Sequence, residues 1–130
     1  MSGQAKFVHL HVKTCMSFHE SIICIQPLVN DLRLRHFDAC AVTDRGNVLA
    51  AESFCAEAVE RGIKPIVGCE IDVYDDVYHG AGAPRPMGKA RPLVLLVQNE
   101  EGWKSLCEIL GESASAEAPW IAMRRLKFVT

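Results

Sequence analysis

Apolar and polar positions along this chain change period repeatedly. Phe7-Val8-His9-Leu10-His11-Val12 alternates and then stops at the polar Lys13 and Thr14, which predicts a strand. Ile25, Leu28, Val29 and Leu32 fall at helical spacing, with Pro27 suited to a first turn. The short apolar run from Ala39 to Val42 predicts a second strand. Asn47 is placed to cap a helix whose inward face is Ala51, Phe54, Cys55 and Ala58, and Gly62 suits its stop. Ile66-Val67-Gly68-Cys69-Glu70-Ile71 predicts a third strand running on toward Tyr74. Residues 80–92 hold three Gly and three Pro and predict a loop, the core of a flexible segment over 78–92. Leu93 to Val97 predicts a fourth strand. Asn99 then caps a third helix with Glu100 and Glu101 at its positive end, an inward stripe of Trp103, Leu106, Cys107 and Leu110, and Gly111 as its stop. Small residues follow, and 112–130 reads as an irregular C-terminal tail. The order is βαβαβ, a loop, then βα, which implies an α/β fold with a parallel sheet and crossover helices.

The 130 residues suit one domain, with 49% hydrophobic side chains supplying a core. A formal charge of -2 gives no global pull toward nucleic acid. No stretch approaches the roughly 18 apolar residues that span a bilayer, and the first residues lack a signal-peptide layout, so a cytoplasmic chain with no membrane partner is expected. The six cysteines form no C-x-x-C pair and sit mostly among apolar neighbours, as in Ile23-Cys24-Ile25 and Ala39-Cys40-Ala41. They are expected to be buried free thiols in a reducing compartment.

In parallel α/β folds chemistry gathers at the C-terminal ends of strands. Three polar groups stand there: His9 with His11, Asp44 with Arg45, and Glu70. Alternation puts both imidazoles of H-x-H on one side of a strand, a frequent metal-ligand spacing. With Asp44 and Glu70 they make a four-ligand candidate for a divalent ion, Zn or Mn. His19 and Cys15 offer a second candidate, H-x-H-x3-C-x3-H. His36 and His79 have no metal-like context and are expected in solvent. The cations argue the other way. Lys13 follows the H-x-H on the same face, and Arg45 follows Asp44. A positive side chain beside a metal site repels the ion, whereas beside Asp44 and Glu70 it forms hydrogen-bonded ion pairs that fill the hollow. Arg85, Lys89 and Arg91 in the loop, with Lys13 and Arg45, are candidate contacts for an anion or a nucleic-acid strand.

Residues 7–14, F-V-H-L-H-V-K-T, resemble the opening of the PHP (polymerase and histidinol phosphatase) domain of bacterial DNA polymerase III alpha subunits, typically F-V-H-L-H-V-H-S. Residues 41–47, A-V-T-D-R-G-N, resemble that family's A-x-T-D-H-G-N. Residues 62–70, G-I-K-P-I-V-G-C-E, match G-I-K-P-I-x-G-C-E, and 93–110 resemble its next strand and helix. The resemblance implies a distorted seven-stranded β/α barrel of roughly twice this length. About four strands are present, so the chain reads as a single partial PHP domain over 1–130 with an incomplete barrel edge, cut from a larger protein or naturally short. The absence of a capping signal in the last residues favours truncation.

The family's first-motif ligands fall on His11 and Lys13, so one ligand is replaced. His9 takes the place of an auxiliary polar residue. The second-motif histidine is Arg45, the bridging glutamate is retained as Glu70, and a histidine before the fourth strand aligns with Pro92. The resemblance thus implies vestigial metal-site positions at His9, His11, Lys13, Asp44, Arg45 and Glu70, with no catalytic residue and no cofactor expected. Arg after Thr-Asp is similar to the error-prone branch of alpha-type polymerases. The implied role is a metal-free module that serves as scaffold or docking surface in replication or error-prone synthesis. Its partners would be the remainder of a polymerase chain, a proofreading exonuclease or an accessory replication protein, with nucleic acid met only indirectly. Open sheet edges also suggest self-association. The alternatives are a metal-dependent phosphoesterase with a reduced site, and salt-sensitive binding of single-stranded nucleic acid or another anion.

Overall fold

In the computed structural model, which describes residues 7–78, 85–114 and 121–126, the apolar runs become a parallel-stranded sheet with alternating helices. The chain divides between Cys69 and Glu70 into two units.

The first unit holds β1 (His9–Val12), α1 (Ile25–Leu34), β2 (Ala39–Arg45), α2 (Ala51–Glu60) and the first half of β3 (Lys64–Tyr74). The strand order is β1-β2-β3, and β1 runs parallel to β2. Val29, Leu32, Cys40, Val42, Ala50, Phe54, Ala58 and Ile63 form the core, with Val12, Met16, Ile25, Leu28 and Phe37 packed against it. Of these, Ile25, Leu28, Val29, Leu32, Phe54 and Ala58 are positions that periodicity selects on α1 and α2. Each large side chain removed from water here contributes about 1.5–3 kcal/mol.

Both helices end in the same way. After α2, Gly62 takes φ +71°, its N–H donates to Val59 O at 3.0 Å, and Ile63 N–H donates to Ala58 O at 2.9 Å. After α1, His36 takes φ 59°, and Phe37 N–H donates to Leu32 O at 3.0 Å. These bonds satisfy last-turn carbonyls that the helix itself leaves open. His36 is exposed, as expected of it.

The second unit holds the rest of β3, with β6 (Arg91–Leu96) beside it and β7 (Ile121–Ala122) pairing parallel to it at Val73 and Tyr74. It also holds β4 (Asp76–Tyr78), β5 (Arg85–Met87), α3 (Glu100–Ala114) and α4 (Met123–Leu126). Asn99 Oδ1 accepts from Gly102 N–H at 2.9 Å, so the expected cap of α3 is made.

Several expectations are corrected. Within the segment expected as a flexible loop over 78–92, Arg85–Met87 forms β5, which pairs antiparallel with β4 (Asp76–Tyr78), and β6 begins at Arg91. Pro86 is tolerated because a strand in a two-stranded ribbon has an edge that needs no N–H. His79 lies outside the described residues. α3 passes Gly111 and ends at Ala114, and the segment expected as an irregular tail carries β7 and α4. The inward side chains of α3 are Leu106 and Ile109, while Trp103 and Cys107 are exposed. Helical spacing fits either stripe, and packing rather than period chooses between them. Asn47 does not cap α2, whose N-cap position is Ala50. Its side chain instead accepts from Leu49 N–H and donates to Met16 O and Arg45 O, each at 3.1 Å.

Candidate functional site

Asp44 ends the buried run of β2 with 1% of its surface exposed. A carboxylate so placed must find donors. Thr14 N–H donates to Oδ1 at 2.7 Å, Ser17 Oγ to Oδ1 at 2.6 Å, and Thr14 Oγ1 to Oδ2 at 2.8 Å. Ser17 Oγ also accepts from Arg45 N–H at 3.1 Å, and Thr14 Oγ1 from Met16 N–H at 3.1 Å. The loop leaving β1 is thus stitched to the tip of β2 by hydroxyls and amides. Both oxygens of the Asp44 carboxylate thus accept from neutral donors of the loop.

The two cations meet elsewhere. Lys13 lies beyond the end of β1, not on its face. Its Nζ reaches Glu20 Oε2 at 2.5 Å, and Arg45 Nη1 reaches Glu20 Oε1 at 3.2 Å. One glutamate therefore clasps both. The Lys13 hydrogen bond holds the Glu20 carboxyl below its ordinary value, and the charges of Lys13 and Arg45 act in the same direction. The loop that delivers Glu20 is closed by Ser21 Oγ donating to Lys13 O at 2.7 Å and by Cys15 N–H donating to Ile23 O at 2.8 Å.

The strand that carries the H-x-H pair has an irregular register. His9 registers with Cys40 and Val12 with Val42, so β1 slips by one residue along this stretch. Such an irregularity breaks the strict period of two. His9 packs with aromatic rings, 4.9 Å from Phe7 and 5.1 Å from Phe37 between centroids. His11 is exposed. Among the described residues no group of three or more His, Cys, Asp or Glu side chains is arranged to hold a metal ion. Glu70, on β3 in the second unit, is 4% exposed.

Of the loop cations, Arg91 pairs with Asp75 at 2.5 Å, and Arg85 and Lys89 are exposed. The expectation of buried thiols holds for Cys40 and Cys69. Cys15 and Cys55 are half-buried, and Cys24 and Cys107 are exposed. Apolar neighbours misled at Cys24, because Ile22 and Ile23 are themselves exposed. A crevice of about 170 Å³ in the second unit is lined by Leu95, Leu96, Val97, Gly102, Leu106 and Ile109, which offer no group for phosphate chemistry. No helix among the described residues is long and apolar enough to cross a membrane.

Thr14, Ser17 and Glu20 were not visible as site residues from periodicity. A signal did exist for Glu20, since it is the sole acid between Met1 and Asn30 and stands near a lysine.

The motif order and the strand-tip geometry agree with the match of residues 9–125 to the PHP domain. The chain belongs to the PHP domain family. Curated relatives of this PHP domain include the DNA polymerase III subunit alpha of Haemophilus influenzae, 30% identical over 113 residues. That match takes in 87% of this chain and 9% of the relative. The protein of the same name from Treponema pallidum is 32% identical over 127 residues, covering 94% of this chain and 10% of the relative. The chain thus spans about a tenth of the length of these relatives. Among solved structures, an amidohydrolase from Chromobacterium violaceum superposes with a TM-score of 0.57 at 20% identity. It covers 80% of this chain, which spans 32% of that protein, and the likeness is one of fold.

Proposed function

We propose that the 130 residues are one partial PHP domain of a DNA polymerase III alpha-type protein and work without a metal centre, as scaffold or docking module. The observation that carries this reading is the clasp of Lys13 and Arg45 on Glu20. Those two cations stand where the family resemblance places histidine ligands, and their charge opposes a divalent ion. Asp44 supports it as well, because both of its oxygens already accept hydrogen bonds from Thr14 and Ser17. On this reading the donor set does not fit the family's metal centre. The rest of the polymerase, a proofreading exonuclease or an accessory factor is the proposed partner, and replicative or error-prone synthesis the proposed setting.

Phosphoesterase turnover with Mn or Zn tests this reading, using p-nitrophenyl phosphate and a 3′-labelled oligonucleotide. The expected rate equals that of the Glu70→Ala variant and of buffer. Turnover that disappears in Glu70→Ala would mean a reduced but working site. Oligonucleotide binding that weakens steeply as salt rises would favour an anion-binding role.

A further inference from the structure

The loop between β1 and α1 carries two cysteines that its own closure brings together. Cys15 N–H donates to Ile23 O at 2.8 Å, which sets residue 15 beside the 23–24 peptide. Cys24 is among the side chains that act on the Cys15 thiol. Cys24 is exposed, at the position preceding α1, and Cys15 is half-buried. Neither belongs to the clasp or to the Asp44 network, yet Ser17 and Glu20, which do, lie between them in the chain.

We propose that Cys15 and Cys24 are a redox-modification site that forms a reversible disulfide with a low-molecular-weight disulfide such as oxidised glutathione as the oxidant. The exposed Cys24 thiolate attacks one sulfur of that disulfide, releasing one glutathione thiolate and leaving a mixed disulfide on Cys24. Cys15 loses its proton to solvent, attacks Cys24 Sγ and expels the second glutathione. The protein loses two hydrogens, and one glutathione disulfide becomes two thiols. The bridge encloses the segment that presents Ser17 and Glu20. In the chain-entropy picture, a loop of about ten residues raises the folded-to-unfolded ratio about 100-fold.

The 130-residue chain is equilibrated in mixtures of reduced and oxidised glutathione, quenched with acid and mapped by mass spectrometry. Cleavage after Glu20 separates the two cysteines, so the fragments stay joined only through the bridge. Exposed Cys107 serves as the internal control. The expected result is a bridged product, two hydrogens lighter, at a glutathione ratio at least ten-fold more reducing than the one that glutathionylates Cys107. Cys15→Ser should instead leave a mixed disulfide on Cys24, and the bridged form should have a higher urea midpoint than the reduced form. Wild-type chain that carries glutathione on Cys24 without bridging would overturn the proposal. So would a bridged form less stable than the reduced one, since the native loop would then have to open to form it.

Discussion

Asp44→Ala removes the acceptor for three hydrogen bonds, of 2.6, 2.7 and 2.8 Å, in a site that is 1% exposed. Thr14 N–H is then left buried without an acceptor, at about 1–3 kcal/mol. The hydroxyls of Thr14 and Ser17 can turn toward other acceptors, and each loses about 1 kcal/mol of charge-assisted bonding. Relief of the buried charge offsets part of this. The net expectation is about 3 kcal/mol of lost stability, or about 2 M in the urea midpoint for a slope near 1.5 kcal/mol/M. Asp44→Asn keeps one carbonyl oxygen and should cost about half as much. Ser17→Ala, about 1 kcal/mol alone, should cost less once Asp44 is already alanine, because its bond to Asp44 no longer exists and only the one from Arg45 N–H remains to be lost. Urea unfolding followed by far-UV circular dichroism measures the wild type and these four variants. A loss below about 0.5 kcal/mol for Asp44→Ala, or full additivity with Ser17→Ala, would refute the hydrogen-bonded role of this carboxylate.

Acid should loosen the clasp. Because Glu20 is held below its ordinary 4.5 in the folded chain by Lys13, its contribution is present above that ordinary value and disappears as pH falls through the depressed one. Urea midpoints measured from neutral pH to about pH 3 should therefore fall more steeply for wild type than for Glu20→Gln; superimposable profiles would speak against the clasp. At the helix ends, His36→Gly should stabilise the chain by about 1 kcal/mol and Gly62→Ala should destabilise it by a similar amount, because both positions have left-handed backbone (φ 59° and +71°) and a Cβ at residue 62 meets nothing else. Burial lifts the Cys40 thiol to about 11, so iodoacetamide at neutral pH should modify Cys24 and Cys107 first and reach Cys40 only on unfolding.

The elements that the sequence made legible are those in which one period fits one burial pattern. Val29, Leu32, Phe54 and Ala58 face the core where helical spacing puts them, and Gly62 and Asn99 sit at the helix ends their chemistry suits. α3 was ambiguous because two apolar stripes fit its spacing, and only contact with its surroundings separates Leu106 and Ile109 from Trp103 and Cys107. The strand-tip residues Lys13, Asp44 and Arg45 were legible as a group, but their pairing was not. Loop 13–24 has no period, so nothing in the hydrophobic pattern announces that Thr14 and Ser17 serve Asp44 or that Glu20 serves both cations. The register shift in β1 between His9 and Val12 was equally silent.

Metal content bears most directly on the proposed absence of a metal centre. The purified chain is exposed to Mn, Zn and Fe salts, passed through gel filtration and assayed by inductively coupled plasma mass spectrometry, beside the Lys13→His/Arg45→His double variant. The prediction is far less than one ion per wild-type chain, with any gain confined to the double variant. One or more ions retained per wild-type chain would contradict it.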